Sequence, residues 1–273
     1  MSVSRHRAPG SGERPRIAVM PSPRSASAST HFPMPAVEWM VGTEPSRVLN
    51  LAGSAALPRL LAGLGHQVMT VDKDLEVIRK LAADPRLVTI AAEAESLPFD
   101  PCQFDAVVAH QVFHRFAPGL VLSEMARVLR PGGTACVSYL VRDDSVPWVK
   151  RLVKLLRQVD ENAMRGDYGD ASVEALATSK YFPQVETRSF RVWQQVNRPT
   201  LLAMVSNQPA VAALDGEMRE LVLADAAQLY DSATPGADEL RLPFQLKVWR
   251  AWVDHEELTA PIEIDDTGLV IPL

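Results

Sequence analysis

Arg47-Val48-Leu49-Asn50-Leu51-Ala52-Gly53-Ser54-Ala55-Ala56, continued by Gly65-His66-Gln67-Val68-Met69-Thr70-Val71-Asp72, is the stretch whose reading decides the fold. Residues 47–51 and 67–71 are short apolar runs of the kind that lie buried on both faces of a sheet. Between them Ala55 to Leu64 reads as a helix. Pro58 is tolerable there only near the first turn, and Gly65 ends it. Strand, helix and strand in this order predict a parallel βαβ unit.

The rhythm continues downstream. Asp74 to Ala83 is helical, with Asp74 as N-cap and Leu75, Ile78 and Leu81 on one face. Leu87–Ile90 is a third strand and Phe104–Ala109 a fourth. Leu120 to Leu129 is a helix stopped by the turn Arg130-Pro131-Gly132-Gly133, and Thr134 to Leu140 is a fifth strand. Upstream, Ala36 to Met40 makes one or two helical turns. The second half breaks the alternation. Helices are expected over 149–159, 171–178, 200–206 and 211–230, with late strands at 190–196 and 244–253. The expected fold class is α/β: a Rossmann-like, mostly parallel seven-stranded sheet with helices on both faces. A helical cap, about 147–180 and 198–230, belongs to the C-terminal half.

Composition agrees with a soluble globular chain: 273 residues, 47% hydrophobic and 22% charged. No apolar run approaches the roughly 18 residues of a membrane span. Two cysteines, Cys102 and Cys136, cannot build a disulfide framework and lack metal-ligand spacing, which points to the cytoplasm and to no metal. Residues 254–273 hold six acids and no Lys or Arg, so the rest of the chain is near neutral and offers no electrostatic footprint for nucleic acid. Three regions follow: a disordered extension over 1–34, an ordered domain over 35–253, and an acidic tail over 254–273. The extension is rich in Arg, Ser and Pro with Glu13 as its one acid, a composition that also fits an organelle transit peptide. The tail reads as a solvated segment and leaves room for a protein partner.

In an open parallel sheet, ligands bind beyond the carboxyl ends of the strands. That brings together the loop after Leu51, the loop at Asp72 and the loop after Val108. Asp72 is the sharpest residue, because a strand-end carboxylate can accept both hydroxyls of a ribose. Position alone suits NAD, FAD or S-adenosylmethionine equally, and equally an exposed strand-end Asp. The G-x-G-x-x-G spacing of nicotinamide enzymes is absent after the first strand.

Residues 48–56 with 65–72 resemble the first two motifs of class I S-adenosylmethionine-dependent methyltransferases. Glu93-Ala94-Glu95-Ser96-Leu97-Pro98-Phe99 with 104–108 resembles the family's adenine-side loop and fourth strand. Glu124 to Gly133 is similar to its helix-and-turn signature before the fifth strand. Gln111 to Phe116 and Arg142 to Trp148 further resemble bacterial small-molecule methyltransferases. The resemblance covers residues 36–140 and implies an antiparallel last strand and S-adenosylmethionine as cofactor. It implies a cofactor set of Asn50, Ala52, Gly53, Ser54, Asp72, Lys73, Glu93, Ala94, Glu95, Ala109 and His110. It also implies a small-molecule substrate and places His110 and His114 near the transferred methyl, where His114 reads either as a general base or as a packing and orienting histidine beside Phe113 and Phe116.

The cofactor loop departs from the family, which has an acid and then three glycines at alternate positions. Here those positions are Asn50, Ala52, Ser54 and Ala56. Asn50 cannot offer a full charge to the cofactor's ammonium, and Ala at a positive-φ site is strained by about 1–2 kcal/mol. Glu93 stands where the family has Asp. Two functions remain open: methyl transfer to a small molecule, and a catalytically inactive relative acting as a binding or regulatory partner. Cys136 reads as core, Cys102 as a surface thiol, and Trp148, Trp193, Trp249 and Trp252 as packing rather than a substrate cage.

Overall fold

The computed structural model describes residues 32–161, 170–234 and 239–259, together with 264–265 and 268–269. The expected disordered extension therefore lies almost wholly outside the described residues, as does much of the acidic tail. Among the described residues no helix is long and apolar enough to cross a membrane.

In chain order the elements are α1 (Met34–Val41), β1 (Arg47–Leu51), α2 (Ala56–Gly63), β2 (Gln67–Asp72), α3 (Leu75–Ala82), β3 (Val88–Ala91) and β4 (Phe104–His110). Then follow α4 (Pro118–Val128), β5 (Leu129–Arg142), α5 (Pro147–Arg157), α6 (Asp170–Ala177) and β6 (Gln184–Val196). The series continues with α7 (Arg198–Ser206), α8 (Pro209–Ala212), α9 (Gly216–Ala233) and β7 (Leu240–Trp252). The seven strands form one sheet in the order β3-β2-β1-β4-β5-β7-β6. The first five are parallel, and β7 runs antiparallel between β5 and β6. This is the mostly parallel, Rossmann-like sheet the alternation predicted.

Strand periodicity sorts the core into two layers. Leu49, Leu51, Val107, Ala109, Val137 and Tyr139 face one side, where Val121, Leu122 and Met125 of α4 and Leu176 of α6 cover them. Val48, Ala106, Val108 and Cys136 face the other, under α1, α2 and α3. A third cluster joins α5, α7, α8 and α9 to the outer ends of β6 and β7. The β5–β7 pairing stops at Arg142 and Phe244, while β6–β7 pairing continues to Val196 and Leu240. The β6–β7 ribbon thus overhangs the carboxyl edge of the parallel strands, and the cap helices pack on that overhang. Helix α6 lies within the expected cap range but packs on the sheet's α4 face instead.

Three local expectations change. The Arg130–Gly133 turn is part of β5, whose pairing with β4 slips between Phe104 and Ala106 to form a bulge. A Cβ on Gly133 would stand 2.9 Å from the Arg130 carbonyl oxygen and 3.1 Å from that of Asp105, so only glycine lets the bulge close. The helix expected over 211–230 is two, because Asp215 caps a new start by accepting from the Met218 amide at 2.8 Å. Strand β7 begins at Leu240 rather than Phe244, since its first residues pair with β6 alone.

Candidate active site

The loop between β1 and α2 keeps a left-handed turn without the usual glycines. Ala52 has φ 51° and Gly53 φ 89°. Ala52 is held by its amide, which donates to the Val71 carbonyl at 2.6 Å. Its carbonyl accepts from Asn50 Nδ2 at 3.1 Å, within a buried pair. These two bonds hold the L-residue in a region that costs about 1–2 kcal/mol. At Gly53 an added Cβ would meet Val112 Cγ1 at 3.1 Å and the His110 carbonyl oxygen at 3.2 Å. Glycine is thus required at 53, the loop position where residues 52–53 lie against the segment after β4. Ser54 is exposed and its Oγ accepts from the Ala56 amide at 3.2 Å, opening α2.

Asp72 ends β2 and is 4% exposed. Its Oδ1 accepts from the Asp74 amide at 2.9 Å; its Oδ2 accepts no hydrogen bond among the described residues. One oxygen fixes the carboxylate and leaves the other for a ligand. Its neighbour Lys73 is exposed. In the loop after β3, Glu93 is exposed, Ala94 is buried, and Glu95 Oε1 accepts from the Ala117 amide at 2.9 Å at the start of α4. Glu95 therefore already has a structural partner, and Glu93 is the acid of this loop turned to solvent.

A clamp that the sequence reading did not assign holds that loop. Arg127 donates to the Phe99 carbonyl at 2.7 Å and the Leu97 carbonyl at 3.0 Å. Its partner Glu124, 2.7 Å away, accepts from the Leu97 amide at 2.7 Å. The Glu124 carboxyl is held below its ordinary pKa, chiefly by the Arg127 guanidinium. The (i, i+3) spacing of an acid and an arginine on α4 was the available signal.

Beyond β4, Ala109 is wholly buried in the sheet and offers only its backbone. His110 is buried, and its Nδ1 lies 2.9 Å from Ser138 Oγ. Its ring meets Phe32 edge-on, with centroids 4.7 Å apart. Burial pushes its pKa down to about 4, so it stays neutral near pH 7. His114 follows in a 3-10 turn, Phe113–Arg115. Its amide donates to the Tyr139 hydroxyl at 3.0 Å, and its Nδ1 lies 3.5 Å from the same oxygen. Its pKa is lowered by burial and by the Arg115 charge. Tyr139, which reads as plain strand core in sequence, is 1% exposed and braced by the Trp249 ring at 6.2 Å.

The structure brings together Asn50, Ala52, Gly53, Asp72, His110 and the His114 turn at one sheet edge, because parallel register aligns the ends of β1, β2 and β4. The tryptophans are dispersed. Trp148 sits in the cap cluster, Trp249 beside Tyr139, and Trp252 against the Arg250 guanidinium, while Trp193 is exposed. Cys136 is buried and its thiol pushed up to about 12. No cluster of metal-ligating side chains occurs among the described residues.

The methyltransferase-domain family profile matches residues 50–137. An uncharacterized methyltransferase of Mycobacterium tuberculosis is 28% identical over 217 residues, covering 78% of this chain and 86% of that protein. A demethylmenaquinone methyltransferase of Clavibacter sepedonicus is 33% identical over 158 residues, covering 52% of this chain and 62% of that one. Among solved structures, a candidate type II methyltransferase from Anaeromyxobacter dehalogenans superposes with a TM-score of 0.64 at 21% identity, covering 82% of this chain and 97% of that chain. With the sheet order and the ordered motifs at its carboxyl edge, these matches show a methyltransferase-domain likeness over residues 50–137 and the fold of class I methyltransferases.

Proposed function

We propose that the protein transfers a methyl group from S-adenosylmethionine to a small-molecule acceptor bound at the carboxyl edge of the sheet. The observation that carries this reading is Asp72. It is buried, fixed through one oxygen by the Asp74 amide, and set beside the left-handed Ala52–Gly53 turn. A cofactor ribose would take the second oxygen, and the adenine would lie toward Glu93 and Ala94, in a loop kept in place by Glu124 and Arg127. The methionine portion would pass along residues 52–54 toward Asn50.

The sulfonium donor is chemically activated, so the protein's contribution is alignment and exclusion of water. Asp72 orients the nucleoside. Ala52 and Gly53 bring the backbone close to it. His110, neutral and held by Ser138, shapes the wall between donor and acceptor. His114 would line the acceptor side, with Tyr139 and Trp249 packed behind it.

Titration calorimetry with S-adenosylmethionine and S-adenosylhomocysteine tests the reading. Binding is expected, and Asp72→Ala should lose most of it while circular dichroism and melting stay near wild type. Equal affinity in the variant would remove Asp72 from the site. One observation favours the second reading, an inactive relative: the neutral Asn50 amide is turned onto the Ala52 carbonyl instead of offering a charge. No binding of either nucleoside would select it.

A further inference from the structure

We infer that the protein pairs with a second copy of itself through the outer faces of α5 and α9, about a twofold axis that sets the basic face of α5 against the acidic first turns of α9.

The two helices carry opposite charge. In α5, Lys150, Arg151, Lys154 and Arg157 are exposed, and the helix has no acid. Its other face, Val149, Leu152, Val153 and Leu156, is buried in the cap. In α9, Glu217, Glu220 and Asp225 are exposed, while Val222 and Ala226 are buried in the same cluster. The remaining charges of α9 are engaged elsewhere: Arg219 donates to Ser206 Oγ at 2.6 Å, and Asp231 pairs with Arg198 at 3.0 Å. None of the four cations and three acids forms an ion pair among the described residues.

Both faces look the same way. A groove between the helices is lined by Arg151, Lys154 and Gln158 on one side and by Asp225, Gln228 and Ser232 on the other. At about 100° per residue, Met218 and Leu221 fall on the same stripe of α9 as Asp225, Gln228 and Ser232. They are 51% and 54% exposed, large apolar side chains left in water on that face. Glu217 and Glu220 lie along one flank of them.

The charges are matched but apart. The groove takes α9 from Asp225 onward, and Glu217, Met218, Glu220 and Leu221 precede it by one to two turns. Within one chain these acids do not meet the α5 cations. A copy turned by half a revolution delivers them, and a twofold contact does so twice, α5 on α9 and α9 on α5. Met218 and Leu221 then give the contact an apolar centre with charges at its rim. Helices of 11 and 18 residues are about 16 and 27 Å long, a small face beside the roughly 800 Å² per partner of a stable complex. The dimer is therefore reversible, forms at micromolar concentration and weakens with salt.

Sedimentation equilibrium of the full chain across the micromolar range tests this. Wild type should pass from monomer to dimer as concentration rises, and high salt should return it to monomer. Arg151→Glu/Lys154→Glu and Glu217→Lys/Glu220→Lys should each associate about tenfold more weakly or worse, because like charges then face each other. Mixed in equal amounts, the two variants should form a heterodimer, since both contacts regain opposite charges. That rescue separates pairing from damage to the fold, which mixing does not repair. A wild type that stays monomeric throughout would overturn the inference. A dimer that neither variant weakens would overturn it too, as would variants that mixing does not rescue. A monomeric wild type that binds phosphatidylserine vesicles, with binding lost in Arg151→Glu/Lys154→Glu, would give the basic face to a lipid surface and sink the dimer.

Discussion

Restoring the family's acid at residue 50 should cost stability in the absence of cofactor, and the structure indicates how much. Asn50 is 1% exposed and its Nδ2 donates to the Ala52 carbonyl at 3.1 Å. Asn50→Asp removes that donor and sets a carboxylate oxygen against the carbonyl oxygen. Leaving such a buried acceptor unpaired costs about 1–3 kcal/mol. Burying the charge adds to it, so the new carboxyl should titrate above the ordinary aspartate value of about 3.9. The sign then follows. Below about pH 3.9 the group is protonated in both folded and unfolded chains, and its O–H can replace the lost donor. As pH rises the unfolded chain ionises first, and the penalty grows by about 1.4 kcal/mol per unit until the folded group ionises too. A total of about 2–4 kcal/mol at pH 7.5 corresponds to a melting temperature roughly 5–15 °C below wild type. The gap should narrow at pH 5. Saturating S-adenosylmethionine, whose ammonium would face the new charge, should stabilise the variant more than the wild type. The assay is thermal unfolding at the two pH values, with and without ligand. Identical melting temperatures at pH 7.5 would refute the reasoning, since they would mean that the Asn50–Ala52 bond does not hold the loop.

Other outcomes follow from single contacts. Gly133→Ala should destabilise the protein by about 1–3 kcal/mol, because the new Cβ meets two backbone oxygens at 2.9 and 3.1 Å; an unchanged urea midpoint would count against the bulge geometry. Glu124→Gln should lose about 1–2 kcal/mol at neutral pH through the weakened pairing with Arg127. Because the folded Glu124 pKa is depressed, its contribution is present above the ordinary glutamate range and fades as pH falls through the folded value, so wild type and variant should converge in acid. Iodoacetamide on the native protein should modify Cys102, which is exposed, and spare Cys136, whose buried thiol is pushed up to about 12; two adducts by mass spectrometry under native conditions would contradict that.

The sequence alone determined the alternation of strands and helices, the parallel sheet and the position of Asp72 at a strand end. Each is a local property: apolar runs, caps and breakers act over a few residues, and parallel register then carries the strand ends to one edge. It also showed that the loop after the first strand departs from the methyltransferase pattern, though not what its residues do. Only the tertiary structure decided that Asn50 is turned onto Ala52, since the residues show no sign of which neighbour an amide will choose. The Glu124–Arg127 clamp on residues 97–99, the Phe32–His110 contact and the Tyr139–His114 pair join positions 25 or more residues apart, and no periodicity announces them. The Arg130–Gly133 segment reads as a turn because proline and glycine break local structure. It lies within β5 as a bulge because Leu129 and Thr134 on either side of it pair with Phe104 and Ala106 of β4, a register that only the assembled sheet sets.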